Sequence, residues 1–363
     1  MDNQRLQICR NIDGIGKNAL DSIADDPFFT YGYFKTLENI GTKDSPKIEP
    51  FYLSVLHGDK INAVAPCYIE LFNHHPSAAN RIKKAIFAIG DRAGFFPAQL
   101  LNCYSPNSFH SKILRNDNNL KDLDVILKGI DDFCKQQGIP FSSFRYVSEF
   151  DNPLINKLEN FGYQRLSTAE TLYLDVQWNN FDDYLKERAK KIRDNIKREI
   201  KKCRESGIII LEQSEFEKIS EQLYDFHTNL FSKYNNGAKS PYSVSFFQSL
   251  NQHAKDKTKL LTAIKDGKLV GFSLLLLHKS QLDVYFCGFD YESLGNTDFI
   301  YFNLVYYEPI KLAIKLGIKR IHFRLAAEDV KLKRGCKREK TYWFIKSQKP
   351  LLKPILNLAL KMR

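Results

Sequence analysis

The chain of 363 residues lacks most of the signatures from which a function is usually read. No apolar run is long enough to span a bilayer, since the most apolar stretch, LVGFSLLLL at 269–277, covers half a span. The start, MDNQRLQICRN, is polar and carries no apolar leader core, so a soluble, cytoplasmic protein is expected. Seven cysteines are scattered, odd in number and never in a C-x-x-C pair, which argues against a disulfide framework or a zinc site and for a reducing compartment. The doublet His74-His75 has no nearby Cys or acid, so no metal site is expected there. P-loop, H-E-x-x-H and G-x-S-x-G patterns are missing, and Gly14-Ile-Gly16 is a bare G-x-G without the third glycine of a dinucleotide fingerprint.

What is present is ample material for a packed interior: 43% hydrophobic residues, including 27 Phe and 18 Tyr. The length exceeds what one core usually supports, so two domains are expected, divided as 1–170 and 171–363. Charge separates these halves. The first carries 19 Lys and Arg against 20 Asp and Glu; the second carries 35 against 22. The net charge of +12 therefore resides in the second half, as expected if that half meets an anionic partner.

The halves also share an order of elements. GIPFSSFR at 138–145 and GIKRIHFR at 317–324 have the common skeleton G-I-x-x-x-x-F-R. Each follows a helical run, 123–137 or 302–316, that stops at a glycine suited to a left-handed cap. Upstream, the β-rich runs around His57–Lys60 and Lys265–Lys268 read as hairpins. The repeated order of hairpin, helix and strand predicts a tandem duplication of α/β or α+β units with mixed sheets.

Between the repeats, Leu185, Ala189, Ile192, Ile196, Ile200 and Cys203 recur at helical spacing and predict one helix over 184–204. Its remaining surface is lopsided. Ten of the nineteen residues from 186 to 204 are Lys or Arg and three are acidic, so Arg193, Lys197 and Arg198 are candidate phosphate contacts.

Six blocks, in order, resemble the FemAB-like peptidoglycan-biosynthesis proteins of the acyl-CoA N-acyltransferase (GNAT) superfamily. They are Asp26-Pro-Phe-Phe29 with Phe34, Leu37 and Glu38; Gly94-Phe-Phe-Pro97 with Leu100, Leu101 and Ser105-Pro106; Trp178-Asn179 with Phe181-Asp-Asp-Tyr-Leu185; the basic run Lys190–Glu199; Phe302-Asn-Leu-Val-Tyr-Tyr307; and Lys331-Leu-Lys-Arg-Gly335. The resemblance implies two GNAT-like units in tandem, an active cleft by the second, and transfer of an acyl or aminoacyl group to an amine. It departs from the family pattern at Asn303, where the family has Glu, so no role for that Glu carries over.

Such transfer needs a base, oxyanion donors and a grip on the carrier. Asp329 and Asp290 are the candidate bases. Six of the ten residues from 331 to 340 are basic, so Lys331, Lys333 and Arg334, with Arg324 at the end of the preceding strand, are candidates for donor binding; Lys331 is also a catalytic candidate. Tyr306 and Tyr307 could shape an acceptor pocket, with at most one of them facing a cleft. Arg193, Lys197, Lys331 and Arg334 are expected to face one shared hollow.

No R/Q-x-x-G-x-G/A motif marks a coenzyme A pyrophosphate site in DYESLGNTDFIYF, so the donor stays open between acyl-CoA and aminoacyl-tRNA, each a co-substrate with no permanently bound cofactor. The expected acceptor is a small-molecule or glycopeptide amine. A non-catalytic module that holds a phosphorylated glycan precursor or nucleic acid is the alternative. The basic and apolar tail at 349–363 would suit either a docked helix or contact with a membrane surface.

Overall fold

The computed structural model describes residues 4–40, 49–72, 98–116, 120–295, 298–325 and 327–354. The block at 94–97, the doublet His74-His75 and the end of the tail lie outside them. Among the described residues, no helix is long and apolar enough to cross a membrane.

The chain forms two compact units, and neither is contiguous in sequence. One comprises 1–24, 47–169 and 340–363; the other comprises 25–46 and 170–339. The expected boundary near 170 therefore needs two corrections. Residues 25–40 fold with the second unit, and 340–354 fold with the first.

The strands explain this arrangement. The first unit holds β1 (Gln4–Cys9), β2 (Glu49–His57), β3 (Lys60–Phe72), β4 (Ala98–Cys103), β5 (Leu114–Arg115), β6 (Phe141–Ser148), β7 (Gln164–Ser167) and β15 (Thr341–Ser347). Its sheet runs β1-β2-β3-β4-β6-β15-β7, with β5 beside β3. The second holds β8 (Thr171–Asp175), β9 (Ile209–Gln213), β10 (Thr258–Lys265), β11 (Lys268–His278), β12 (Gln281–Phe289), β13 (Arg320–Arg324) and β14 (Lys337–Glu339), ordered β9-β10-β11-β12-β13-β8-β14. The two orders match place for place. The position that β15 takes in the first sheet is taken in the second by β8, so the first sheet takes this strand from near the end of the chain and the second takes it from the segment just after β7. Hydrogen bonding of the sheet, rather than sequence continuity, closes each unit.

Both sheets are mixed, with one parallel pair each. β4 and β6 pair at Leu100↔Phe141, Leu101↔Ser142 and Asn102↔Ser143; β12 and β13 pair at Gln281↔Arg320, Leu282↔Ile321 and Asp283↔His322. A parallel pair needs a crossover. In the first unit α3 (Lys121–Gln137) supplies it, after α1 (Lys17–Ile23) earlier in that unit and α2 (Tyr31–Ile40) in the other, and before α4 (Asn152–Asn160). In the second unit the crossover follows α5 (Phe181–Lys186), α6 (Lys190–Glu205), α7 (Ser220–Tyr234) and α8 (Val244–Ala254). It consists of α9 (Ile300–Phe302), a π-helical turn (Asn303–Tyr307) and α10 (Glu308–Leu316). Gly138 and Gly317 end the crossovers in the left-handed region at φ 69° and 67°, where a Cβ would be strained. This is the tandem arrangement of α/β units with mixed sheets that the repeated order predicts.

The expected helix over 184–204 is broken. Ala189 takes an extended conformation (φ −51°, ψ 143°), which separates α5 from α6. Leu185, Ile196 and Cys203 still enter one core, with Ile192 and Ile200 packed against it.

Candidate active site

The second unit opens between its parallel strands. Past Asp283↔His322, β13 turns toward β8 through a register shift between His322 and Arg324, helped by φ 63° at Arg324. β12 continues to Phe289 alone on that side. Its other edge carries a bulge, because Leu274 pairs with Phe286 while Leu275 pairs with Val284, leaving Tyr285 as the extra residue. The strands thus splay, and the edge of β12 facing β13 presents backbone N–H and C=O groups without ladder partners.

Lys331, on α11 (Glu328–Lys333), reaches this opening. Its side chain is buried, and Nζ donates to the carbonyls of Phe323 (2.6 Å) and Leu325, with Arg324 O at 3.5 Å. These carbonyls lie at the end of β13, and donating to them is what lets a lysine be held inside. Burial pushes its pKa down to about 8, with the neighbouring Arg324 cation acting in the same direction.

Around it, Arg324 Nη1 lies 3.7 Å from Asp283 Oδ1, and its guanidinium sits 5.1 Å from the Tyr285 ring and 5.3 Å from the Phe28 ring. The hydroxyls of Tyr285 and Tyr33 are 3.0 Å apart. Tyr242 packs on Phe286 at 4.5 Å, and burial raises its pKa to about 12, so it stays a neutral donor. Phe28 and Tyr33 come from the early segment that joins this unit.

The other candidates fare differently. Arg334 is no phosphate ligand: it is buried, with Nη2 donating to Glu199 Oε2 at 2.8 Å and to Tyr307 Oη at 2.6 Å, and the rings of Phe302, Tyr306 and Tyr307 surround its guanidinium. Tyr306 and Tyr307 are both core residues, neither facing a cleft, because the π-helical turn directs both inward. Asp290 caps a turn, accepting from Glu292 N, Ser293 N and Ser293 Oγ. Asp329 is exposed, and its charge acts on Arg338. Lys333, Lys197 and Arg198 are exposed, and Arg193 is half-buried on α6.

The expected single hollow is therefore absent from the described residues. Lys197 lines a different groove of about 560 Å³ between α5, α6 and α10, with Lys201, Arg204 and Lys311 over Phe181 and Ile200. The sequence reading missed Asp283, Tyr285 and Glu199. Glu199 did leave a signal, being three residues after Ile196 and four before Cys203, a carboxylate on the apolar stripe of the helix.

Comparison with known proteins agrees with this architecture. The model of a FemAB-like family, described as peptidoglycan biosynthesis/recognition, matches residues 11–357. No curated protein matches by sequence. Solved structures share the fold at low identity. FemX is 10% identical with a TM-score of 0.64, over 96% of this chain and 99% of that one. A conserved protein of unknown function from Bacteroides thetaiotaomicron is 9% identical at 0.59, over 94% and 99%. The C-terminal domain of a putative lysylphosphatidylglycerol synthetase from Agrobacterium fabrum is 12% identical at 0.52, over 83% and 84%. With a family match across nearly its whole length and two α/β units that share one strand order, the chain belongs to the FemAB-like family, described as peptidoglycan biosynthesis/recognition.

Proposed function

We propose that the opening between β12 and β13 is where an activated acyl or aminoacyl carbonyl meets an amine acceptor, with Lys331 moving the proton. The observation that carries this reading is the buried Nζ at the strand ends, whose pKa near 8 allows the amine and ammonium forms to exchange close to neutral pH. The neutral Lys331 amine takes a proton from the attacking nitrogen as the new C–N bond forms. The resulting ammonium returns that proton to the departing thiol or hydroxyl of the carrier as the old bond breaks, so the products are an amide and the free carrier. Backbone N–H groups on the unpaired edge of β12 supply oxyanion donors. Asp283 keeps Arg324 in place, and Tyr285 and Tyr242 offer neutral hydroxyls to the acceptor side.

The donor is an acyl-CoA or an aminoacyl-tRNA, and the cations of α6 favour the second, since a row of exposed Lys and Arg suits an RNA backbone. The family's part in peptidoglycan biosynthesis makes an amine of a glycopeptide precursor the proposed acceptor, met in the cytoplasm. Mass spectrometry of such a precursor, incubated with the protein and either an acyl-CoA or a charged tRNA pool, should show the added group. Lys331→Met should lower the rate by roughly 10²–10⁴-fold. Full activity in that variant would overturn the assignment. A total lack of transfer by the wild type with both donors, alongside tight precursor binding, would instead favour the recognition role. tRNA affinity that does not fall steeply with salt would remove the tRNA donor.

A further inference from the structure

The Lys331 helix is short, and the sheet alone does not fix it. α11 has one and a half turns, and no side chain caps its start, where Ala327 adopts φ 50°. What holds its far end is one guanidinium. Arg334 Nη1 donates to Val330 O (3.1 Å) on α11, and Nη2 donates to Glu199 on α6 and to the Tyr307 hydroxyl on the π-helical turn. Tyr307 also donates to Glu199, closing a triangle. The backbone repeats the grip. Arg334 N and Cys336 N both donate to Lys331 O (2.9 and 3.1 Å), and Tyr184 Oη donates to Arg334 O (3.0 Å). Gly335, at φ 91°, lies under Arg188, whose Nη1 occupies the space a Cβ would need. Asn303 Nδ2 donates to Glu199 O (3.3 Å) and Phe299 O (2.9 Å), tying α6 to the π-helical turn.

A buried ion pair adds little net stability over a well-packed apolar substitute. What this one supplies is fixed geometry, with three elements joined through one planar group one turn from Lys331. We infer that Glu199 is a positioning residue, which through Arg334 and Tyr307 holds α11 so that Lys331 Nζ stays against the strand-end carbonyls in the β12/β13 opening. Its importance for catalysis rests on the transfer reading above; the placement of Lys331 does not.

The test is a titration that needs no substrate. Lysine labelled with ¹³C at Cε is followed by NMR against pH, with the Lys331 signal assigned by Lys331→Arg. In the wild type that signal should titrate near pH 8. In Glu199→Gln the side chain should swing to water and its midpoint should rise by about two units, toward an ordinary lysine. Tyr307→Phe, which removes one hydroxyl, should move it by about half a unit. The signals of Lys265 and Lys346, which are paired elsewhere, report that the variants are folded. A midpoint that stays put in the folded variants overturns the inference, and if Glu199→Gln fails to fold, Tyr307→Phe decides. A shifted midpoint together with a fully active Lys331→Met would sink the catalytic reading and leave the positioning role standing. An inactive Lys331→Met with unmoved midpoints would do the reverse.

Discussion

The two parallel-strand openings are built on one frame and filled differently. In the first unit, carbonyls at the register shift of β6 against β15 accept from Ser111: its hydroxyl bonds Arg145 O, and its N–H bonds Tyr146 O at 3.0 Å. In the second unit the corresponding carbonyls accept from the Lys331 ammonium. The flanking residues repeat. Arg145 lies 3.4 Å from Glu70 and 5.9 Å from the Tyr104 ring, as Arg324 lies near Asp283 and Tyr285. A parallel pair, a register shift on its second strand, an arginine and a tyrosine are thus common to both units and belong to the frame. Among the described residues, a side chain that can gain and lose a proton donates to these carbonyls only in the second. A neutral hydroxyl and a backbone amide satisfy such carbonyls, whereas an amine there can also do chemistry.

The largest test of this contrast is the pH dependence of transfer. If Lys331 must be neutral to accept a proton, the rate should rise about tenfold per pH unit below its pKa near 8 and level off above it. Ser111→Ala should leave that profile unchanged. Next come the two arginines. Arg324→Met takes a cation from Asp283, whose side chain is 9% exposed, and should cost about 3 kcal/mol in urea denaturation, whereas Arg145→Met removes a half-exposed pair and should cost less than about 1 kcal/mol.

The buried His227 of the second unit gives an effect of similar size with a defined sign. Burial lowers its pKa to about 4, and its Nδ1 is 3.0 Å from Ser240 Oγ. Unfolded, the imidazole binds its proton near pH 6.5, so between about 6.5 and about 4 only the unfolded chain carries the extra proton. Stability that is complete above about pH 6.5 should therefore fall as the pH drops to about 4, by at most roughly 3 kcal/mol. His227→Gln should flatten this part of the curve. Ser111→Ala stands with Arg145→Met among the small effects, a loss of about 1 kcal/mol with transfer intact, since only one neutral hydrogen bond is removed.

Much of the frame was legible in the sequence because it is local. Gly138 and Gly317 stop helices wherever they occur, and the runs on either side of His57–Lys60 and Lys265–Lys268 form the hairpins that their composition implies. The site was legible in part. Lys331 stood in a basic run that resembled a family motif, yet its neighbour Arg334 looked the same in sequence and lies in the core. The difference is the partner: Glu199 sits 135 residues away and neutralises one of them. Counting charges cannot separate a cation that meets a carboxylate from one that meets strand-end carbonyls.

The sequence by itself determined two repeats, their hairpins, their crossovers and the concentration of positive charge in the second, because helix stops, turn residues and apolar periodicity act over a few neighbouring positions. Only the tertiary structure decided that β15 completes the first sheet, that 25–46 brings Phe28 and Tyr33 to the second unit, and which basic side chains are buried. Those outcomes depend on pairing groups far apart in the chain, where the requirement that every buried donor, acceptor and charge find a partner selects among arrangements that local patterns leave equal.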